Sequence, residues 1–461
     1  MSQKGKRIAI YIDLGPEAGG QFQYALSVVQ GLAQHAKEFD VVCYSTRSEW
    51  QAICAQENIE YRAFMQISSS SDLVKDGANT ESTPSFHRII LHRAALKFPV
   101  LAQYRKELSR RVVLRRATLK LSTLSLYHGK VSRRAVLRLA SRVTAPNWMT
   151  KILEFCFKRD EISLVIFPFP TMLMAGLNVT SIGTIHDLMY KYERRFLATN
   201  GDADDAFYKM LYETIVRDSN IVLVDSPLGE LQVLESFSDV RASIQVLPYC
   251  APNYVTEYLE EKHRCPETLR ASISEVVRGV ALRSYVYYPA MYKRYKNHEN
   301  LIKALEILGE RGVQVNAVFT GTPGLSEQFI ADTIASSSVS GQIAMLPYVS
   351  DKELCYLLEH AEALVMPTYA GPTNIPQLEA FALGCPVLTS NIYAMPWQIG
   401  EAGILFNPDD PEDIANAIEA VWLNEAKRAE LIEKGYRRGQ NFSFERFAKK
   451  LADIVEASAA S

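Results

Sequence analysis

One stretch of the chain has residue types suited to binding an anion beside a hydroxyl-bearing group. Residues 364–390 read LVMPTYAGPTNIPQLEAFALGCPVLTS, which predicts a buried strand, a loop, a short helix and a second buried strand. Thr373 and Asn374 suit the N-cap of that helix, whose free N–H groups and positive dipole end favour an anion. Glu379 lies one turn further in and is placed for a ligand hydroxyl. A diphosphate next to a ribose would satisfy both requirements, so the segment points to a nucleotide-sugar.

Three cations form a second cluster that could carry chemistry. Lys293, Arg294 and Lys296 lie in a turn between a predicted strand and a predicted helix. Cations at such a position can neutralise the charge that develops on a departing nucleoside diphosphate. A solvated basic turn accounts for the same residues without any chemistry, so both interpretations stay open.

Two features of the first half of the chain could also face a ligand. Gly19 and Gly20 end a Gly-rich loop between the first strand and the first helix, where the backbone can approach a ligand closely. A tight turn explains such a loop equally well. His186 ends a predicted strand, where it can bond a sugar hydroxyl or take part in acid–base chemistry, although a lone histidine is often structural.

No metal site is predicted. Asp202 and Asp204 form a short DxD pattern, but they open a predicted helix, and capping explains them more simply. The sequence has no HExxH pattern, P-loop lysine motif or nucleophile elbow. We therefore expect no metal and no cofactor, and expect helix dipoles and Lys296 to stabilise phosphate charge.

Length and composition predict two or three domains with sizeable cores. The chain has 461 residues, of which 48% are hydrophobic, and it contains no apolar run long enough to span a membrane. Its start is better interpreted as a first strand than as a signal peptide. The seven cysteines lack CxxC spacing, which favours a reducing compartment, and we expect a cytoplasmic protein.

Strand and helix patterns alternate in two stretches, which predicts two α/β units with doubly wound parallel sheets. Ligands bind outside the carboxyl ends of strands in such sheets, so two sheets that face each other would form a cleft. We predict a first domain at 1–270 with a helical insertion at 66–151, a second domain at 271–440, and a terminal helix at 441–461.

The insertion is strongly basic. Residues 88–151 contain sixteen Lys or Arg and a single acid, Glu107. A basic amphipathic helix binds anionic membrane surfaces, and this interpretation would place the protein peripherally on the inner face of the membrane. A solvated helical face is an alternative. Nucleic acid is disfavoured, because aromatic residues are sparse and no recognition motif appears.

The segment around Glu379 resembles the donor-site signature of the GT4-type retaining glycosyltransferases, which have the GT-B fold. In that family two glutamates stand eight residues apart; the first contacts the donor sugar and the second holds the ribose. Glu379 matches the second, and Gly371 stands in place of the first, as in a family variant with a Gly-Pro-Thr-Asn-Ile-Pro loop. Lys296 matches the family lysine, whereas Met291 replaces the family arginine.

The resemblance implies a GT-B fold, with an acceptor-side first domain, a donor-binding second domain and a terminal helix that crosses back to the first. It also implies transfer of a sugar, with retention and without metal, from a nucleoside diphosphate to a hydroxyl of a glycan or a lipid-linked acceptor. It implies catalytic roles for Lys296, Lys293, Arg294 and His186, and donor binding by Gly19, Gly20, Pro372, Thr373, Asn374, Ile375, Pro376 and Glu379.

Two other functions remain open. A nucleotide-sugar epimerase or hydrolase could have the same fold, although it would want a carboxylate near the sugar. A catalytically degenerate protein that binds membranes or partners is the second alternative, because Gly371 and Met291 both replace family residues.

Overall fold

The computed structural model describes residues 6–64, 147–196, 202–322 and 326–458. Most of the predicted insertion at 66–151, including its basic part up to residue 146, lies outside the described residues. The described chain forms two parallel β-sheets, one of seven strands and one of six. This confirms the prediction of two Rossmann-like units.

The first sheet is built from short apolar segments that are mostly buried, as expected for a parallel sheet with both faces covered. Its strands are β1 (Lys6–Ile12), β2 (Phe39–Ser45), β3 (Glu60–Ala63), β4 (Leu164–Ile166), β5 (Thr180–Thr184), β6 (Ile221–Val224) and β7 (Ser243–Val246). They lie in the order β3-β2-β1-β4-β5-β6-β7, and all neighbouring pairs are parallel.

Helices connect these strands and cover the sheet, so that separate apolar cores form around alternate residues of β1. The helices are α1 (Gly20–Ala33), α2 (Glu49–Gln56), α3 (Asn147–Arg159), α4 (Met189–Tyr192), α5 (Asp202–Asp218) and α6 (Pro227–Ser236). Short 3-10 turns lie at Pro16–Ala18, Met172–Met174 and Arg194–Phe196.

The second sheet has the order β10-β9-β8-β11-β12-β13 and is also parallel throughout. Its strands are β8 (Val286–Pro289), β9 (Ala317–Thr320), β10 (Ile343–Leu346), β11 (Ala363–Met366), β12 (Val387–Ser390) and β13 (Gly403–Phe406). The helices around it are α10 (His298–Glu310), α11 (Glu327–Ser336), α12 (Asp351–Glu359), α13 (Ile375–Leu383), α14 (Met395–Ile399), α15 (Pro411–Trp422) and α16 (Glu425–Gly439), with 3-10 turns at Arg294–Lys296, Ser340–Gln342 and Gln440–Phe442.

Three consecutive helices span the region around the predicted domain boundary at residue 270. They are α7 (Asn253–Arg264), α8 (Pro266–Ser272) and α9 (Glu275–Val280). Tyr258 and Leu269 from these helices are buried in the same apolar core as the second sheet. The many polar residues of this stretch therefore form the exposed side of amphipathic helices.

The last helix, α17 (Phe444–Ser458), packs on α1 in the core of the first domain. The two helices approach closely, because a Cβ on Gly31 would lie 3.4 Å from the Cα of Ala448. The chain thus passes between the domains twice, before α7 and before α17. The two passages are joined where the Ala251 N–H donates to the Phe442 carbonyl at 3.4 Å.

Candidate active site

The carboxyl ends of the two sheets face a common cleft with a cavity of about 550 Å3. Its first-domain wall contains the loop after β1 and the loop after β5, and its second-domain wall contains the loops after β8, β9, β10 and β11. The predicted site residues that line it are Gly19, Gly20, His186, Lys293, Lys296, Pro372, Thr373, Asn374, Ile375, Pro376 and Glu379. One cleft therefore brings together predictions from distant parts of the sequence.

Glu379 lies in the first half of α13, and its side chain is only 3% exposed. The Tyr254 hydroxyl, from α7, donates to Oε1 of this carboxylate. Oε2 is buried and has no partner among the described residues. Burial raises the pKa of Glu379 to about 7. A buried carboxylate oxygen without a partner is costly, so it is suited to accept a hydrogen bond from a ligand.

The loop at 371–376, here termed the donor loop, differs from the sequence prediction in its backbone. The Thr373 N–H donates to Oδ2 of Asp225 at 3.0 Å, and the Asn374 N–H donates to Oε1 of Gln398 at 3.0 Å. These two N–H groups are therefore not free to bind an anion, and the predicted anion site at the N-terminus of α13 would have to use other groups. Proline at 372 and 376 removes two further donors from the loop.

The donor loop offers a side-chain amide to a ligand. Asn374 occupies the N-cap position of α13, but its side chain makes no capping hydrogen bond. Its Nδ2 atom is buried and has no partner among the described residues. Since Asn374 lines the cleft, this amide can donate to a ligand oxygen.

The cationic turn is divided between the cleft and the surface. Lys293 and Lys296 line the cleft, whereas Arg294 does not. The Arg294 guanidinium lies 4.4 Å from the ring centre of Phe329 and bonds Glu299 at 3.2 Å. Burial lowers the pKa of Lys296 to about 8, against the attraction of Asp187. Lys296 is thus still mostly charged near pH 7, and Arg294 is not placed to contact a ligand there.

His186 follows β5 and is buried at the first-domain wall of the cleft. Its Nδ1 lies 3.0 Å from the Tyr249 hydroxyl, and its ring packs edge-on to Tyr24 at 5.0 Å. Burial lowers the pKa of His186 to about 4, so the ring is neutral near pH 7. A neutral imidazole can exchange a hydrogen bond with a sugar hydroxyl, but it does not supply a positive charge.

The glycine loop lies at the start of α1 and close to the opposite domain. Gly19 has φ +58°, a left-handed conformation that favours glycine. A Cβ on Gly20 would lie 3.9 Å from Cδ1 of Ile375 in the second domain. The start of α1 therefore faces the donor loop across the cleft, where its dipole favours an anion.

Three residues that shape this site were not predicted. Asp225 and Tyr254 contact the donor loop and α13 across more than a hundred residues of sequence, and Gln398 reaches back from α14. Asp225 directly precedes Ser226, whose side chain caps α6 by accepting from the Gly229 N–H at 3.1 Å. Within the described ranges, no group of three or more His, Cys, Asp or Glu is arranged to hold a metal.

The chain is similar in sequence to known proteins. Residues 282–438 match the family model of glycosyl transferases group 1. The chain is 27% identical over 167 residues to O-antigen chain mannosyltransferase B of Escherichia coli, covering 36% of this chain and 44% of that one. It is 21% identical over 289 residues to D-inositol 3-phosphate glycosyltransferase of Corynebacterium urealyticum, covering 61% and 66%. It therefore spans about half the length of the relatives it matches.

Solved structures match over nearly the entire chain. Sucrose-phosphate synthase from Thermosynechococcus elongatus is similar with a TM-score of 0.64 at 16% identity, covering 99% of this chain and 100% of that one. Anabaena HepE in complex with UDP-glucose has a TM-score of 0.62 at 10% identity, covering 98% and 99%. These matches confirm the GT-B fold. In sequence the chain is similar to glycosyl transferases group 1 and to sugar-transferring enzymes, while the variant donor loop stays a prediction.

Proposed function

We propose that this protein is a retaining, metal-independent glycosyltransferase. It would move a sugar from a nucleoside diphosphate to a hydroxyl of a glycan or a lipid-linked acceptor. The observation that carries the proposal is the buried Oε2 of Glu379, which no described residue partners, in a cleft that Lys296 also lines. The sugar-transferring relatives named above support the same class of reaction.

The proposed donor site divides the nucleotide-sugar among separate groups. The carboxylate of Glu379 accepts hydrogen bonds from the ribose hydroxyls. Lys296 and Lys293, together with the dipole at the start of α1, bind the diphosphate. The donor loop and His186 surround the sugar. Arg294 is left out of this assignment because it bonds Glu299 outside the cleft.

The proposed reaction needs no protein nucleophile. The bond between the anomeric carbon and the diphosphate oxygen breaks, and the acceptor oxygen bonds that carbon from the same face. The acceptor proton passes to the departing diphosphate, on which negative charge develops. Lys296 stabilises that charge in a site where burial strengthens electrostatic interactions.

The lipid-linked acceptor connects the proposal to the basic region at 88–151. Anionic lipid would attract this region and bring the cleft close to an acceptor in the membrane. In the part of the chain that the structure describes, no helix is both long and apolar enough to cross a bilayer. The proposed membrane association rests on the charge of the basic region, most of which lies outside the described residues.

A nucleotide titration tests the proposal. Calorimetry with UDP and GDP should show binding to the wild-type protein, and Glu379→Ala should weaken it at least about tenfold, because one hydrogen bond to a charged group is worth about 1.5–3 kcal/mol. The control is Glu401→Ala, at an exposed position of the same domain. Absence of binding by the wild-type protein to any nucleoside diphosphate would contradict the proposal.

Turnover separates the proposal from the alternatives. A panel of nucleotide-sugars, screened first by thermal stabilisation, identifies the donor. That donor should then be consumed in the presence of an acceptor with a net transfer of sugar. Epimerised or hydrolysed donor as the only product would favour the same-fold alternative, and binding without any turnover would favour a degenerate binding protein.

A further inference from the structure

We propose that Asp225 is a positioning residue for the donor sugar: it holds the donor loop from the opposite domain, so the sugar site is complete only when the domains are closed. This inference rests on the proposed function. It assigns no contact between Asp225 and the substrate, because Asp225 does not line the cleft.

The contact between Asp225 and the donor loop is buried and doubly bonded. Asp225 follows β6 of the first domain and is 3% exposed, and Thr373 is 4% exposed. Oδ2 of Asp225 accepts from both the N–H and the hydroxyl of Thr373, and Oδ1 accepts from the Ser226 hydroxyl at 2.9 Å. If Asp225 were removed, two buried donors of Thr373 would lose their partner, which is costly.

The second domain holds the next residue of the loop. Gln398 accepts from the Asn374 N–H at 3.0 Å and donates to the Asn374 carbonyl at 2.9 Å. The first domain thus holds the backbone at Thr373, and the second domain holds the backbone at Asn374. Only the Asn374 side chain remains available, and its buried Nδ2 has no partner within the described ranges.

Gly371 makes room for this arrangement. Its φ of +87° favours glycine, and a Cβ there would lie 3.1 Å from Oδ1 of Asn374 and 3.0 Å from the Thr373 carbonyl oxygen. A glutamate at 371 would therefore compete with the Asn374 amide for the same space. We infer that the amide takes the place of the absent carboxylate and donates a hydrogen bond to a sugar oxygen.

The opposite interpretation is that the contact between Asp225 and the donor loop blocks the site. It predicts the opposite change in affinity for the nucleotide-sugar when Asp225 is replaced. If the bond to Asp225 held the donor loop shut against the donor, breaking it would strengthen binding. The geometry favours positioning, because Asp225 lies outside the cavity and leaves the space beside Asn374 open.

The test compares two ligands on the same variants. UDP and UDP-glucose, or GDP and GDP-mannose if that pair stabilises the wild-type protein, are titrated into wild type, Asp225→Asn and Asp225→Ala. The control is Asp239→Asn, an exposed aspartate of the same domain that pairs with Arg241. Nucleoside diphosphate affinity should change less than about twofold, which also shows that the variants are folded.

Affinity for the nucleotide-sugar should fall about tenfold in Asp225→Asn and further in Asp225→Ala, since tenfold corresponds to about 1.4 kcal/mol, the order of one hydrogen bond. Equal losses for both ligands, no loss, or tighter sugar binding would each overturn the inference. Those results leave the proposed function intact. A wild-type protein that binds neither ligand would instead overturn the proposed function, and this inference with it.

Discussion

Replacing Glu379 with Gln should stabilise the ligand-free protein increasingly as the pH rises from 5 to 8. Burial raises the pKa of Glu379 from 4.5 to about 7. Between these values the folded protein binds more protons than the unfolded chain, so the stability contributed by this group falls as pH rises. Each tenfold change in proton affinity is worth about 1.4 kcal/mol, so ionising this buried group costs about 3 kcal/mol in total.

Thermal unfolding of the two proteins across this pH range measures the effect. About 3 kcal/mol corresponds to a difference in Tm that widens by about 6–12 °C between pH 5 and pH 8. Other titrating groups, such as His186, are present in both proteins and cancel in the difference. Glu401→Gln serves as the matched control, because that side chain is exposed in the same domain.

A difference in Tm that stays constant with pH would refute the reasoning. It would show that the carboxylate is solvated or fully paired, and not held ready for a ligand hydroxyl. Saturating nucleotide supplies a second check. Under the proposed role of Glu379 in accepting the ribose hydroxyls, nucleotide should stabilise wild type more than Glu379→Gln at pH 8.

Three further predictions concern the leaving group, the terminal helix and the basic region. Lys296→Met should lower kcat by about 10²-fold or more, because it removes the charge proposed to stabilise the transition state. Steady-state kinetics measures this effect, and an unchanged kcat would contradict that role. Leu451→Ala should lower the free energy of unfolding by about 2–5 kcal/mol, because Leu451 is fully buried against α1. Denaturant titration measures this loss. A loss under about 1 kcal/mol would contradict the packing. Changing the arginines at 110–138 to Gln should abolish co-sedimentation with anionic liposomes, and salt should weaken it in wild type; unchanged, salt-insensitive pelleting would count against a membrane role.

The sequence was most informative where a local pattern coincides with a buried element. The apolar runs that became β1, β8 and β11 are short and nearly continuous, as parallel strands covered on both faces require. Since the carboxyl ends of such strands meet at one edge, residues that follow different strands were expected to face one cleft. The same reasoning places Glu379 and Lys296 in one cleft, as the structure does.

Contacts between distant segments could not be predicted in this way. The N–H groups of Thr373 and Asn374 looked free because the partners that accept them, Asp225 and Gln398, carry no mark of this role in the sequence. Tyr254 presents the same difficulty, because its hydroxyl reaches Glu379 across 125 positions. A pattern indicates which groups need a partner, but the fold decides whether the protein or a ligand provides one.

Amphipathic helices and short strands at the margin of a sheet gave weaker patterns. In α7 and α8 the polar residues outnumber the buried ones, so the apolar side that packs with the second sheet is hard to recognise from the sequence. β13 is four residues long and only partly buried, and its pattern was too brief to separate from a turn. β13 lies away from the cleft, but α7 carries Tyr254, which lines the cleft and donates to Glu379.

The two interdomain linkers, which are joined near Ala251 and Phe442, limit how the two domains can move relative to each other. A single linker would let the domains twist and slide against each other. Two adjoining linkers form a hinge that leaves chiefly one rotation, which opens and closes the cleft. Such a swing would part Asp225 from Thr373 and readmit solvent, then bring both back to the same register on each cycle. Removing α17 would allow other motions between the domains. The contact between Asp225 and Thr373 would then form less reproducibly, although every residue of the cleft would still be present.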